Sequence, residues 1–141
     1  RLGHGVRIAE DLEIVNRDGE EVQVRFGDLA RWVRDREIPL ELSPSSNLQT
    51  GGAIAAWGGS EFADHPFDLL YQLGFAVTVN VDNRTMSATS LTREMALLVD
   101  AFGYDLEDLE SLQFNAAAGG AFLPVEEREE LVEMIAEGFD E

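Results

Sequence analysis

Phe75-Ala-Val-Thr-Val-Asn-Val81 runs straight into Asp82-Asn83-Arg84. The run is apolar, rich in β-branched residues and too short for a helix, so it predicts a strand buried on both faces. Ahead of it, His65-Pro66 opens a segment with Leu69, Leu70 and Leu73 at helical spacing, closed by Gly74. Leu40–Leu42 predicts a second short strand, ending in a loop over residues 43–52. Before that strand, residues 28–36 place Leu29, Trp32 and Val33 at helical spacing and stop short of Pro39. Residues 2–8, mostly apolar around Gly3 and Gly5, read as the end of a buried strand entering a loop. Strands alternating with helices across short loops predict parallel β/α units.

Two features depart from that alternation. Leu12-Glu-Ile-Val and Glu21-Val-Gln-Val-Arg-Phe26 flank Asp18-Gly19, the pattern of a polar β-hairpin. From residue 90 to 141 the chain reads as a mainly helical tail, with helices over 91–102, 106–118 and 124–139. Pro124 suits a first helical position, and Glu126 and Glu127 suit the positive helix end. Phe114, Phe122 and the leucines of these helices are expected in the core. Glu126, Glu127, Glu129 and Glu130 are expected on a solvated face.

The chain has 141 residues with 28 acidic against 10 basic, and a formal net charge of -18. That charge opposes binding to a phosphate backbone, so no nucleic acid is expected as a partner. Every basic residue is Arg, which fits GC-rich codon usage, with adaptation to salt as the alternative. The absence of Cys excludes disulfides, thiolate zinc clusters and a Cys nucleophile. The longest uncharged stretch, residues 42–60, is broken by Pro44 and four Gly, so no membrane helix is expected. No leader is apparent, and a cytoplasmic location is the expectation. Three parallel strands are too few for a closed barrel, which takes ~250 residues, and they leave edges prone to association. The chain therefore reads as one unit over residues 1–141, the end of a larger domain.

Polar side chains gather beyond the carboxyl ends of the three strands: His4, the 43–52 loop, and Asn80, Asp82 and Asn83. Ligands and catalytic groups of α/β folds sit at that end. His4, between two glycines, reads either as a helper of catalysis or as a strand-end histidine. Asp82 reads as a metal ligand or as a loop carboxylate capping the next turn. Ser45-Ser46-Asn47 either holds a ligand or makes a turn. His65 reads as a helix entry, because Pro66 presets the backbone. Two histidines are too few for a catalytic zinc site, which takes three protein ligands.

Five pieces, in order, resemble the carboxyl half of adenosine deaminase. They are Arg1-Leu-Gly-His-Gly-Val, Leu42-Ser-Pro-Ser-Ser-Asn-Leu-Gln-Thr-Gly, Val79-Asn-Val-Asp-Asn, Ser87-Ala-Thr-Ser-Leu-Thr, and Asn115-Ala-Ala with Phe122-Leu-Pro before an acidic helix. The resemblance implies an α/β fold, the last three strands of a zinc-dependent (β/α)8 barrel. By the same resemblance His4 matches the catalytic histidine that orients the attacking hydroxide. Asp82 matches a carboxylate that ligates zinc and helps orient the same water, and Asn83 matches the position that hydrogen-bonds the purine near N7. The family's His-x-His pair, a further His ligand and the proton-shuttling Glu would lie before Arg1. Ser43 stands where Cys is common, and Val81 where Thr is common.

The implied reaction is hydrolysis of adenosine or 2′-deoxyadenosine to the inosine product and ammonia. One Zn2+ per complete site is implied, not held by this chain alone, and the implied partners are a purine nucleoside and the amino-terminal half of the barrel. The chain by itself is expected to be inactive and prone to associate. The alternatives are a related adenine or AMP deaminase, or a non-catalytic acidic module binding a partner protein.

Overall fold

The computed structural model describes residues 1–18 and 21–140. Three parallel strands form the central sheet: β1 (Leu2–Gly3) and, after the hairpin strands β2 (Leu12–Asp18) and β3 (Glu21–Phe26), β4 (Leu40–Leu42) and β5 (Val77–Val79). Their order is β1-β4-β5, with Leu2 opposite Leu40 and Leu40 opposite Val77. Backbone bonds carry the ladder past the strand ends, from His4 N–H to Glu41 O (2.9 Å) and from Asn80 N–H to Leu42 O (2.9 Å). The exits of all three strands are thereby fixed relative to one another.

Leu40, Leu42 and Val77 are fully buried, with Phe67, Leu70 and Leu98 around them. Truncating a leucine in such a core costs about 2–5 kcal/mol. Thr78, equally enclosed, donates its hydroxyl to Leu40 O (3.2 Å), so its polar atom is not left unpaired. The hairpin strands pair antiparallel as a separate sheet, and the expected turn at Gly19 lies outside the described residues. Phe26, at the end of β3, stacks on Phe75 with ring centroids 6.0 Å apart and ties the hairpin to the sheet.

The first helix, α1 (Asp28–Asp35), differs from the expected stripe. It buries Ala30 and Val33 and leaves Leu29 and Trp32 more than half exposed. The helix is turned so that small Ala30 meets the segment carrying buried Ala9, and Asp11 accepts the Ala30 N–H at 2.8 Å as a remote cap. After Gly3 the chain does not stay extended to residue 8; Gly5–Asp11 is a 3-10 helix that buries Val6 and Ile8.

The stretch expected as a loop over 43–52 is instead α2 (Pro44–Gln49) and the start of α3 (Gly52–Trp57). Pro44 sits at the first helical turn, where its missing N–H costs nothing. Helix α4 (Phe67–Gln72) precedes β5, which closes at Val79, two residues sooner than the apolar run. The tail is helical as expected: α5 (Leu91–Phe102), α6 (Leu106–Phe114) and α7 (Val125–Asp140). A π-helical turn, Asn115–Gly120, follows α6, and Asn115 donates to Val77 O (3.0 Å), pinning the tail to β5. Pro124 flanks α7, its carbonyl accepting the Arg128 N–H. Phe122 is not core: it is 82% exposed, with the Arg1 guanidinium 3.8 Å above its ring.

Candidate active site at the carboxyl end of the sheet

His4 leaves β1 with φ 53°, and Asp82 follows β5 with φ 53°. Left-handed backbone is uncommon for residues with a side chain and is held here by the surrounding bonds. Gly5 makes the first turn possible: a Cβ there would lie 2.7 Å from Leu40 Cδ2. Asn80 secures the second, its Nδ2 donating to Thr78 Oγ1 (2.8 Å) and Leu42 O (3.3 Å).

These turns bring His4 Nε2 to 3.7 Å from Asp82 Oδ2, with side chains 51% and 40% exposed. Both line an open cavity of about 330 Å³ with Gly3, Ser43 and Asn80. A larger hollow, about 890 Å³, lies between Trp57, Asp64, Asp68 and Phe102 and includes neither residue. Asn83 does not line the cavity; its Oδ1 accepts the Met86 N–H (3.1 Å), which leaves Nδ2 as a donor.

Helix α2 underlies the cavity, with its N-cap Ser43 on the lining. Ser46 donates its hydroxyl to Asp82 Oδ2 (2.6 Å), and Asn47 Nδ2 lies 3.2 Å from His4 Nδ1. His65 Nε2 lies 3.2 Å from Asn47 Oδ1, behind the floor. Ser46, Asn47 and His65 are each less than 5% exposed. Burial pushes the His65 imidazole down to about 4, so it is neutral at pH 7. The helix start is held from below by Glu94, itself buried, which accepts the Ser45 N–H (3.0 Å) and the Thr89 hydroxyl (2.6 Å).

In the sequence Ser46 and Asn47 read as a ligand-holding run or a turn and His65 as a helix entry, while nothing marked Glu94 as part of the site. The available signal was Ser43-Pro44, which marks a helix start and would have placed residues 46 and 47 in its first turn.

A carboxylate has two oxygens, so the bond from Ser46 does not exhaust Asp82 as a ligand. Glu41, also at the cavity, is paired with Arg1 at 2.9 Å. Among the described residues no three His, Cys, Asp or Glu side chains come together to hold a metal ion. Asp82 and His4 fit as donors at a metal centre and, among the described residues, do not make up a complete set.

Parallel β/α units with polar side chains gathered at the strand exits are the arrangement in which α/β folds, barrels among them, place their sites. The family profile described as adenosine deaminase matches residues 1–138. An adenosine deaminase from Mycobacterium avium is 49% identical over 96% of this chain and 35% of its own length. Adenosine deaminase 1 of Streptomyces coelicolor is 49% identical over 100% of this chain and 33% of its own. Among solved structures, an adenine deaminase from Arthrobacter aurescens superposes with a TM-score of 0.80 at 20% identity, over 100% of this chain and 36% of that one. The chain belongs to the adenosine deaminase family, and its sheet is part of a (β/α)8 barrel. It spans about a third of the length of the curated relatives it matches.

Proposed function

We propose that these residues carry part of the active site of a zinc-dependent deaminase that converts adenosine or 2′-deoxyadenosine and water to the inosine product and ammonia. The observation that carries this reading is the convergence of His4 and Asp82, from two strands, on one open cavity. The relatives named adenosine deaminase, at 49% identity, favour a nucleoside over a free base.

Asp82 is one zinc ligand in this reading, with Ser46 fixing the direction of its carboxylate. The chemistry zinc supplies when bound is a lowered water pKa, towards ~7. His4 holds the attacking oxygen in line with C6 and stabilises charge as the bond forms. Asn83 offers its Nδ2 donor to the purine, whose N7 accepts. The remaining ligands and the proton-shuttling carboxyl come from the rest of the barrel. The 141 residues alone are proposed to neither hold stoichiometric zinc nor turn substrate over. Among the described residues no helix is long and apolar enough to cross a membrane.

The test compares the purified chain with the complete gene product, measuring ammonia release from adenosine, 2′-deoxyadenosine, adenine and AMP, with zinc content alongside. Nucleoside turnover by the complete product and none by the 141 residues is expected. Robust turnover by the 141 residues alone, in a sample free of host deaminase, overturns the partial-site reading. Turnover of adenine or AMP in preference to nucleosides overturns the substrate.

A further inference from the structure

Behind the cavity floor, one line of polar atoms runs from a backbone amide to the His4 ring. Phe67 N–H donates to His65 Nδ1 at 3.0 Å. A backbone N–H can only donate, so His65 Nδ1 carries no proton and the ring of this neutral histidine is protonated at Nε2. His65 Nε2–H therefore donates to the side-chain atom of Asn47 that it meets, which must be oxygen. Ser43 N–H, 3.3 Å from the same atom, fixes that orientation independently. The amide nitrogen of Asn47 then faces His4 Nδ1 and can only donate to it. His4 is left with its proton on Nε2, the atom nearest Asp82.

We propose that Asn47 is a positioning residue that sets the tautomer and ring direction of His4, with His65 and the Phe67 amide fixing Asn47 in turn. The sense of every bond in the line is dictated by groups that cannot reverse, the two backbone amides. A water-exposed histidine has no such constraint, and the half-exposed His4 side chain has its fixed partner on the Nδ1 side only. Asn47 and His65 are 2% and 3% exposed, so solvent does not compete with this line. As a consequence, the cavity is offered a donor at Nε2 when His4 carries one proton. The consequence for catalysis rests on the reading of His4 given above; the tautomer does not.

The sharpest variant is Asn47→Asp. Its carboxylate still accepts from Ser43 and His65 but can only accept from His4, so the His4 proton is drawn to Nδ1. The experiment uses the complete gene product, labelled with 15N-histidine and assigned with His4→Gln and His65→Gln. The wild type is expected to show His4 and His65 both protonated at Nε2 and bare at Nδ1. Asn47→Asp is expected to move the His4 proton to Nδ1, retain zinc, and lower kcat about 10–100-fold with KM for adenosine little changed. Asn47→Leu is expected to leave His4 in a mixture of tautomers. His65→Gln, which keeps an acceptor and a donor, is expected to recover more activity than His65→Leu. A His4 ring unchanged by Asn47→Asp, or protonated at Nδ1 in the wild type, overturns the proposal. Relocated protons without any purine deamination support the positioning role and overturn the functional reading alone.

Discussion

Ser46 gives its hydroxyl proton to Asp82 Oδ2 over 2.6 Å, from a helix to a strand exit. The bond selects one carboxylate orientation in a side chain that is 40% exposed. Hydrogen bonds that aim a metal ligand change metal affinity without touching the metal. Ser46→Ala in the complete gene product should weaken zinc binding about 10–100-fold, read by competition with a chelator. Ser46→Thr, which keeps the hydroxyl, should stay nearer the wild type.

Asp82 and Asn83 are adjacent but are predicted to fail differently. With Asp82 as the proposed zinc ligand, Asp82→Ala should lose zinc and activity together. Asn83→Ala should keep its zinc, since its side chain lies off the cavity lining and bonds the Met86 amide, and should raise KM through loss of the Nδ2 donor proposed to meet the purine. Metal analysis beside steady-state kinetics separates the two. Zinc retained in Asp82→Ala and lost in Asn83→Ala would mean that the roles are interchanged, and equal loss in both would overturn their separation.

His65 should make stability depend on pH. Its folded value is about 4, against 6.5 for the free side chain, so the unfolded chain binds more protons between those values. Stability is therefore highest above pH ~6.5 and is lost as pH falls towards 4, by about 3 kcal/mol from this group. Urea denaturation from pH 7 to 4 should show a shallower loss for His65→Gln than for the wild type. Parallel slopes would assign the loss to carboxylates instead.

Glu94 is 1% exposed and accepts from two partly buried groups, the Ser45 amide and the Thr89 hydroxyl. Replacing it with Leu removes both bonds, at about 1–3 kcal/mol for groups that water can partly reach. Chemical denaturation should show that loss. Glu94→Gln keeps one acceptor oxygen and should cost less.

The sheet was legible because its strands are short apolar runs at the ends of helix-length segments: Leu40–Leu42 and the run from Phe75 each announce themselves. His4 and Asp82 were legible as candidates through their place just past those runs. What the sequence hid were features decided by tertiary contact. Residues 43–52 look like loop because Ser, Asn, Thr and Gly dominate them, yet Glu94, from 49 positions away, stabilises the helix start. Leu29 and Trp32 lost their expected burial to Ala30 because Asp11 and the 3-10 turn demanded a close approach. The roles of Asn47 and His65 depend on which atoms face each other, and no periodicity encodes that.

Three bonds that build the cavity span long stretches of chain: Thr78 to Leu40 across 38 positions, Asn47 to His4 across 43, Ser46 to Asp82 across 36. Pairing over such separations pays its loop-closure entropy before it yields any contact, and topologies of this kind fold slowly. His4 and Asp82 stand at opposite ends of that span, so no segment lacking either strand exit can present the cavity, and a probe that reads their approach reads the pairing of β1, β4 and β5.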